Sequence, residues 1–225
     1  MSTVRTASFS FAPARLLGAA AAAMLIAVGG GLAVGGAPTA HAYGCAEVDV
    51  VVARGTEEPG LLGAAVGDPL VGALRDTLPM SVSAYRVNYP ADLLNPDSIG
   101  NGSRDLVDHI VGVSIACPAT RFVVVGYSQG AVVVHTAAGT DITAAIPGAT
   151  QLPTDITSRI AAVLLFGDPL RLLGGEQLPE PYRDRLGSWC TAGDPVCEPG
   201  GFLPTAHVAY TVHLSEAALF AAAHL

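Results

Sequence analysis

Arg121-Phe122-Val123-Val124-Val125-Gly126-Tyr127-Ser128-Gln129-Gly130 runs from an apolar, β-branched strand directly into a glycine-flanked serine. The Ala/Val-rich stretch from Gly130 to Ala138 follows and reads as a helix. Strand, tight turn and helix in this order fit the G-x-S-x-G nucleophile elbow, which exposes a serine hydroxyl at the end of a strand. The flanking glycines have a steric purpose. Such a turn holds the serine at strained dihedrals, where neighbours with a Cβ would clash.

Working outward, further short apolar runs alternate with helical spacing. Val48 to Ala53, Val82 to Val87 and Ile160 to Phe166 read as strands. Gly60 to Leu78, Asn101 to Ile115 and a terminal amphipathic stretch, Val208 to Leu225, read as helices. Continuous apolar strands separated by helices indicate a parallel sheet covered on both faces. An α/β sandwich is therefore expected, with Thr191 to Thr205 as a Pro/Gly-rich loop.

Composition excludes several classes. The chain has 225 residues, 51% hydrophobic and 13% charged, with a net charge of −8 and no lysine. Mean hydropathy is +0.48. Disorder needs the opposite balance, and without a basic run there is nothing to hold a phosphate backbone, so no nucleic-acid partner is expected. Residues 1–42 carry only Arg5 and Arg15 as charges, then an apolar run from Leu16 to Leu32, then Ala40-His41-Ala42. This pattern predicts a secretory signal peptide cleaved after Ala42. An uncleaved anchor is the alternative, against which the Gly-rich second half and the Ala-x-Ala end both argue. Lipid attachment at Cys45 is weaker, since Ala42-Tyr43-Gly44 is a poor lipobox. Residues 43–225 would form one acidic domain of 183 residues with nine arginines against 19 acids, secreted and without stable membrane insertion.

Cys45, Cys117, Cys190 and Cys197 all fall in the exported part. An even count outside the cell reads as two disulfides with three possible connectivities. A local pair plus a long pair is the simplest, worth about 2.5 and about 4 kcal/mol on the chain-entropy model. The spacing does not suit zinc, and no metal is expected.

A serine nucleophile needs a base and an orienting carboxylate, in this architecture in the order Ser, acid, His. Among the downstream histidines, His135 lies two turns along the same helix and reads as structural. His224 falls in a tail expected to fray, and His213 within the last helix. His207, in the loop Pro204-Thr205-Ala206-His207, is the better-placed base. Two acids compete. Asp194 sits between Cys190 and Cys197, whereas Asp168 follows the strand ending at Phe166. Asp194 is preferred because a small cross-linked loop would hold it rigid. Gly67-Asp68-Pro69 repeats the tripeptide in what reads as an ordinary turn. Oxyanion donors are expected from the Gln129 N–H and from Thr56 in Arg54-Gly55-Thr56-Glu57-Glu58. Thr56 also reads as a helix N-cap, with Glu57 and Glu58 in the first turn. Asn101-Gly102-Ser103 matches a glycosylation sequon, but a turn opening a helix explains it equally well. Tyr127 reads equally as packing or substrate contact.

Together, Cys45 before Ala53-Arg54-Gly55-Thr56-Glu57, Cys117 ahead of the elbow, Gly193-Asp194-Pro195-Val196-Cys197 and His207-Val208-Ala209-Tyr210 resemble the cutinase family. The resemblance covers nearly all of the chain after residue 42 and is nearest the secreted actinobacterial esterases. It implies an α/β-hydrolase-type three-layer sandwich with a central, mainly parallel five-stranded sheet. It also implies Ser128, Asp194 and His207 as a triad, Thr56 and Gln129 as the oxyanion hole, and the pairings Cys45–Cys117 and Cys190–Cys197. Where fungal members tend to have serine, Thr56 adds a methyl that crowds the acyl carbonyl. The expected activity is cofactor-free hydrolysis of short- to medium-chain fatty acyl esters, from lipid or polyester, by a monomer. With little chain to spare for a lid, an open site that needs no interface is expected. An acetyl (polysaccharide) esterase, and a catalytically silent secreted binding protein, are the rival readings.

Overall fold

A computed structural model describes residues 44–225, so the expected signal peptide lies outside the described residues. The β-branched runs become strands β1 (Val48–Ala53), β2 (Val82–Arg86), β3 (Arg121–Tyr127) and β4 (Ile160–Phe166). A fifth, β5 (Leu186–Trp189), completes a sheet of order β2-β1-β3-β4-β5 with every pair parallel. Helices α1 (Gly67–Thr77), α2 (Ser98–Ala116), α3 (Gln129–Ala138) and α4 (Leu214–His224) cover it. Strand alternation divides the core in two. Val48, Val50, Val52, Val123, Val125, Leu164 and Phe166 face one side with Leu70 and Leu74 of α1 and Ala217 and Ala221 of α4. Val51, Val124, Val163 and Leu165 face the other, with Leu106 and Ile110 of α2 and Val133 and Ala137 of α3. The result is a three-layer α/β-hydrolase-type sandwich whose sheet is wholly parallel.

Chain order positions the site. From β1 the chain crosses to β2 on one side, then returns past β1 to β3 on the other. The segments leaving the carboxyl ends of β1 and β3 therefore diverge, and such a switch point opens a crevice where ligands bind. At the amino ends of the same two strands, the Cys45–Cys117 disulfide closes the opposite pole. Asp49, buried in β1, is satisfied there by Ser83 Oγ at 2.6 Å and His109 Nε2 at 2.7 Å.

Several sequence expectations shift. Residues 60–66 form turns rather than the start of α1, because Gly60 and Gly63 adopt φ of +100° and +108°, outside helical space. Thr56 is therefore no helix cap, and Glu57 and Glu58 lie outside any first helical turn. Asp68 sits in the first turn of α1, accepting from the N–H groups of Leu61 and Leu62. The Asn101 sequon lies within α2, not before it. The last helix begins at Leu214, after 3-10 turns over Pro204–Val208 and Tyr210–His213. Nor does the tail fray. Arg121 donates to the carbonyls of His224 and Leu225, and the His224 ring meets the carbonyls of Phe220 and Asp184.

Candidate active site

The serine sits at the hinge between β3 and α3 with φ of +54° and ψ of −119°, conformationally costly for a residue with a Cβ. Close packing leaves the elbow no alternative. A Cβ at Gly130 would lie 2.0 Å from the Ala53 carbonyl oxygen, so only glycine lets α3 start against β1.

His207 reaches Ser128 from the loop after β5, across the crevice. Its Nε2 lies 2.9 Å from Ser128 Oγ, and its Nδ1 lies 2.8 Å from Asp194 Oδ2. A carboxylate can only accept, so Nδ1 carries the proton and Nε2 is free to accept from the serine hydroxyl. Asp194 is fully buried, whereas the His207 side chain keeps 18% exposure. Solvent thus reaches the base and not the acid. The imidazole rests on the end of β4, since a Cβ at Gly167 would come within 2.9 Å of its Cε1. Tyr127 donates its hydroxyl to the His207 carbonyl, holding the backbone of the base.

The acid is held from several sides. The Cys190–Cys197 disulfide closes its loop, the Val196 N–H donates to Oδ1 at 2.8 Å, and the Tyr210 hydroxyl donates to Oδ2. Burial, then the hydrogen bond and charge of Asp194, push the Tyr210 phenol far above its ordinary value, so it stays a neutral donor. Burial likewise raises Tyr127, with Glu58 and Asp194 adding to it. Sequence reasoning gave Tyr210 no part of its own. No local pattern marks it, because His207 and Tyr210 lie in separate 3-10 turns joined at Ala209 and meet through Asp194.

Opposite the serine lies the segment after β1. Gly55 donates to Glu58 Oε2 and Glu57 donates to the Ala91 carbonyl, whereas Thr56 between them meets no acceptor for its N–H among the described residues. Arg54 braces this segment by donating to the carbonyls of Tyr89 and Pro90, while the Tyr89 hydroxyl donates to the Arg54 carbonyl. Burial, and then nearby Arg86, lower the Arg54 pKa. Gln129 opens α3, so its N–H is one of the unpaired donors at a helix start. Its side chain is anchored by Ser98 and the Asp92 carbonyl, both at 3.3 Å.

Between these walls lies a cavity of about 610 Å³ that reaches Ser128, Thr56 and His207. Its apolar wall is Pro59, Ala64, Ala65, Leu93, Val196 and Val208, and Tyr127 both packs and lines it. Of the expected residues, Ser128, Asp194 and His207 converge, and Thr56 and Gln129 flank the serine. Asp168 does not join them. It is fully buried against His135 Nε2 at 3.0 Å, a pairing across 33 residues that no local pattern reveals. His213 stays apart, its Nε2 buried without a partner. The one cluster of metal-ligating type among the described residues is Cys190, Asp194 and Cys197, whose sulfurs are joined in the disulfide.

The family profile described as Cutinase matches residues 44–225. A cutinase of Botryotinia fuckeliana is 36% identical, over 84% of this chain and 89% of its own. Phospholipase Culp4 of Mycobacterium tuberculosis is 40% identical, over 84% of this chain and 83% of its own. Among solved structures, a Trichoderma reesei cutinase in complex with a phosphonate inhibitor aligns with a TM-score of 0.66. It is 31% identical, over 79% of this chain and 75% of that one.

Proposed function

From the premise that the chain belongs to the cutinase family and is a serine-type carboxylic ester hydrolase, we propose that Ser128, His207 and Asp194 are its triad. The single observation that carries this reading is the unbroken relay from Ser128 Oγ through both His207 nitrogens to buried Asp194. Ser128 Oγ bonds to the ester carbonyl carbon as its proton passes to His207 Nε2. The negative charge on the former carbonyl oxygen is met by the N–H groups of Thr56 and Gln129, the Thr56 hydroxyl being a further donor. Such donors act where charge develops, and removing one typically costs about 3–4 kcal/mol of barrier. Collapse breaks the ester C–O bond, and the leaving alkoxide takes the proton from Nε2. Water then gives a proton to the same nitrogen and attacks the acyl-enzyme. Collapse releases the acid, and Ser128 Oγ recovers the proton.

The substrates are esters with short- to medium-chain apolar acyl groups. The cavity is far larger than an acetyl group needs, and its wall carries no cation. Leu93, 73% exposed, and Val208 extend that apolar wall to the open surface. Turnover is expected to peak between butyrate and octanoate in a p-nitrophenyl ester series, with a phosphonate labelling Ser128 alone. Strict acetate preference would establish the acetyl esterase reading instead. If oxidised, folded protein shows neither turnover nor label, the binding-protein reading stands.

The chain acts after export, as a monomer and without membrane insertion. Two disulfides suit an oxidising compartment, and no described helix is long and apolar enough to cross a membrane. Amino-terminal sequencing of protein from the culture medium is expected to begin at Tyr43.

A further inference from the structure

Resting on the reading of Thr56 as an oxyanion donor, we propose that Glu58 is the positioning residue that aims the Thr56 N–H. Glu58 lines the cavity, yet its carboxylate is engaged by main chain on both sides. Oε2 accepts from Gly55 N–H and Oε1 from Ala65 N–H, each at 2.7 Å. The carboxylate is wedged against Gly63, where a Cβ would lie 2.5 Å from Oε2. It therefore ties the segment after β1 to the turns that lead into α1.

What this clamp holds is conformationally unfavourable. Glu57 has φ of +49° and accepts that geometry while bonded to Ala91, itself at +53°. Non-glycine residues persist there only when their surroundings over-determine them. With Gly55 fixed by Glu58 and Glu57 fixed by Ala91, the intervening Thr56 N–H is left unpaired and held in place. Without the clamp, Gly55 loses its fixed N–H, its backbone dihedrals are released, and the Gly55–Thr56 peptide that carries this N–H turns. Ground-state binding along the apolar wall would survive. Stabilisation of the charged intermediate would not.

The test compares wild type with Glu58→Gln and Glu58→Asp. Active sites are counted by phosphonate titration, and kcat per titrated site and KM are measured on p-nitrophenyl butyrate. Glutamine keeps the volume and one acceptor, whereas aspartate is one methylene too short to bridge both N–H groups. Expected is a fall in kcat per titrated site of about 10-fold for Gln and about 100-fold for Asp, in the range of losing an oxyanion donor. KM is expected to stay within threefold, and the basic limb of the pH–rate profile to stay in place. A purely structural role would lower the number of titratable sites or the Tm and leave kcat per site within twofold. That outcome, or a loss carried by KM, overturns the proposal. If Glu58→Asp does not fold, Glu58→Gln decides alone. A wild type that the phosphonate does not titrate would instead overturn the Ser128 reading.

Discussion

The fold contains two relays of the same composition. In one, Asp194 meets His207 Nδ1, and Nε2 meets the hydroxyl of Ser128. In the other, Asp168 meets His135 Nε2 at 3.0 Å, and Nδ1 meets the hydroxyl of Thr140 at 2.9 Å. Carboxylate, imidazole and hydroxyl recur, with the ring nitrogens exchanged. The surroundings differ. His135 and Asp168 have no exposure at all, and Asp168 uses its other oxygen to cap Leu170 N–H at 3.0 Å. His207 borders a cavity, and its hydroxyl partner sits on a strained turn beside unpaired N–H groups. The same three groups thus border a cavity in one place, where we propose the reactive site, and form an internal strut in the other. Access and oxyanion donors make the difference, not the hydrogen-bonded set itself.

The contrast is sharpest at the hydroxyls. Ser128→Ala is expected to lower kcat by about 10⁶-fold, whereas Thr140→Val should leave it within threefold. p-Nitrophenyl butyrate turnover decides, and a large loss in the second variant would break the distinction. The acids come next. Asp194→Asn is expected to cost about 10⁴-fold in kcat through the wrong tautomer, beyond any stability loss from its burial. Asp168→Asn should act on stability alone, costing about 2–3 kcal/mol. That corresponds to a Tm lower by roughly 4–12 °C in calorimetry, with kcat per titrated site nearly unchanged.

Smaller effects probe what only the reactive relay possesses. Tyr210→Phe removes a donor from Asp194 and is expected to lower kcat by roughly 10-fold, a hydrogen bond to a charged group being worth about 1.5–3 kcal/mol. Unchanged kinetics would show that His207 and Val196 suffice to hold the acid. The smallest effect is in pH. Burial raises the Glu58 carboxyl above its ordinary 4.5, against the pull of the Gly55, Ala65 and Val66 N–H groups and Arg54. The folded chain therefore binds this proton more readily than the unfolded one. The resulting stability is fully present below the ordinary value and is lost as pH rises through the raised one. Melting curves of wild type and Glu58→Gln should accordingly keep a constant gap below about pH 4.5, with wild type losing stability relative to the variant as pH rises through the raised value. A gap that stays constant through that rise would refute the assignment.

How legible each part was follows from where its information lies. The elbow was readable because strand, glycine turn and helix are consecutive residues. β1, β3 and β4 were readable because they are largely apolar runs, and β2 as a shorter stretch of mixed polarity between two helical patterns. β5 escaped the residue pattern because Leu-Gly-Ser-Trp is short and half of it is neither apolar nor β-branched. Its place was implied only by the family resemblance. Asp194 could be preferred from its cysteines, whereas the destination of Asp168 depended on packing α3 against the end of β4. The start of α1 was misjudged because hydrophobic spacing carries no record of φ, and Gly60 and Gly63 interrupt the helix through φ alone.

Because every strand points the same way, the sheet has two unlike poles about 20 Å apart, the length of a six- or seven-residue strand. Ser128, His207 and the cavity gather at one pole. The other is stapled by Cys45–Cys117 and ends in the exposed turn at Pro118 and Ala119. Anchoring the protein to a solid support through that turn would orient every molecule with its mouth toward the bulk phase, where an insoluble film or droplet could meet it.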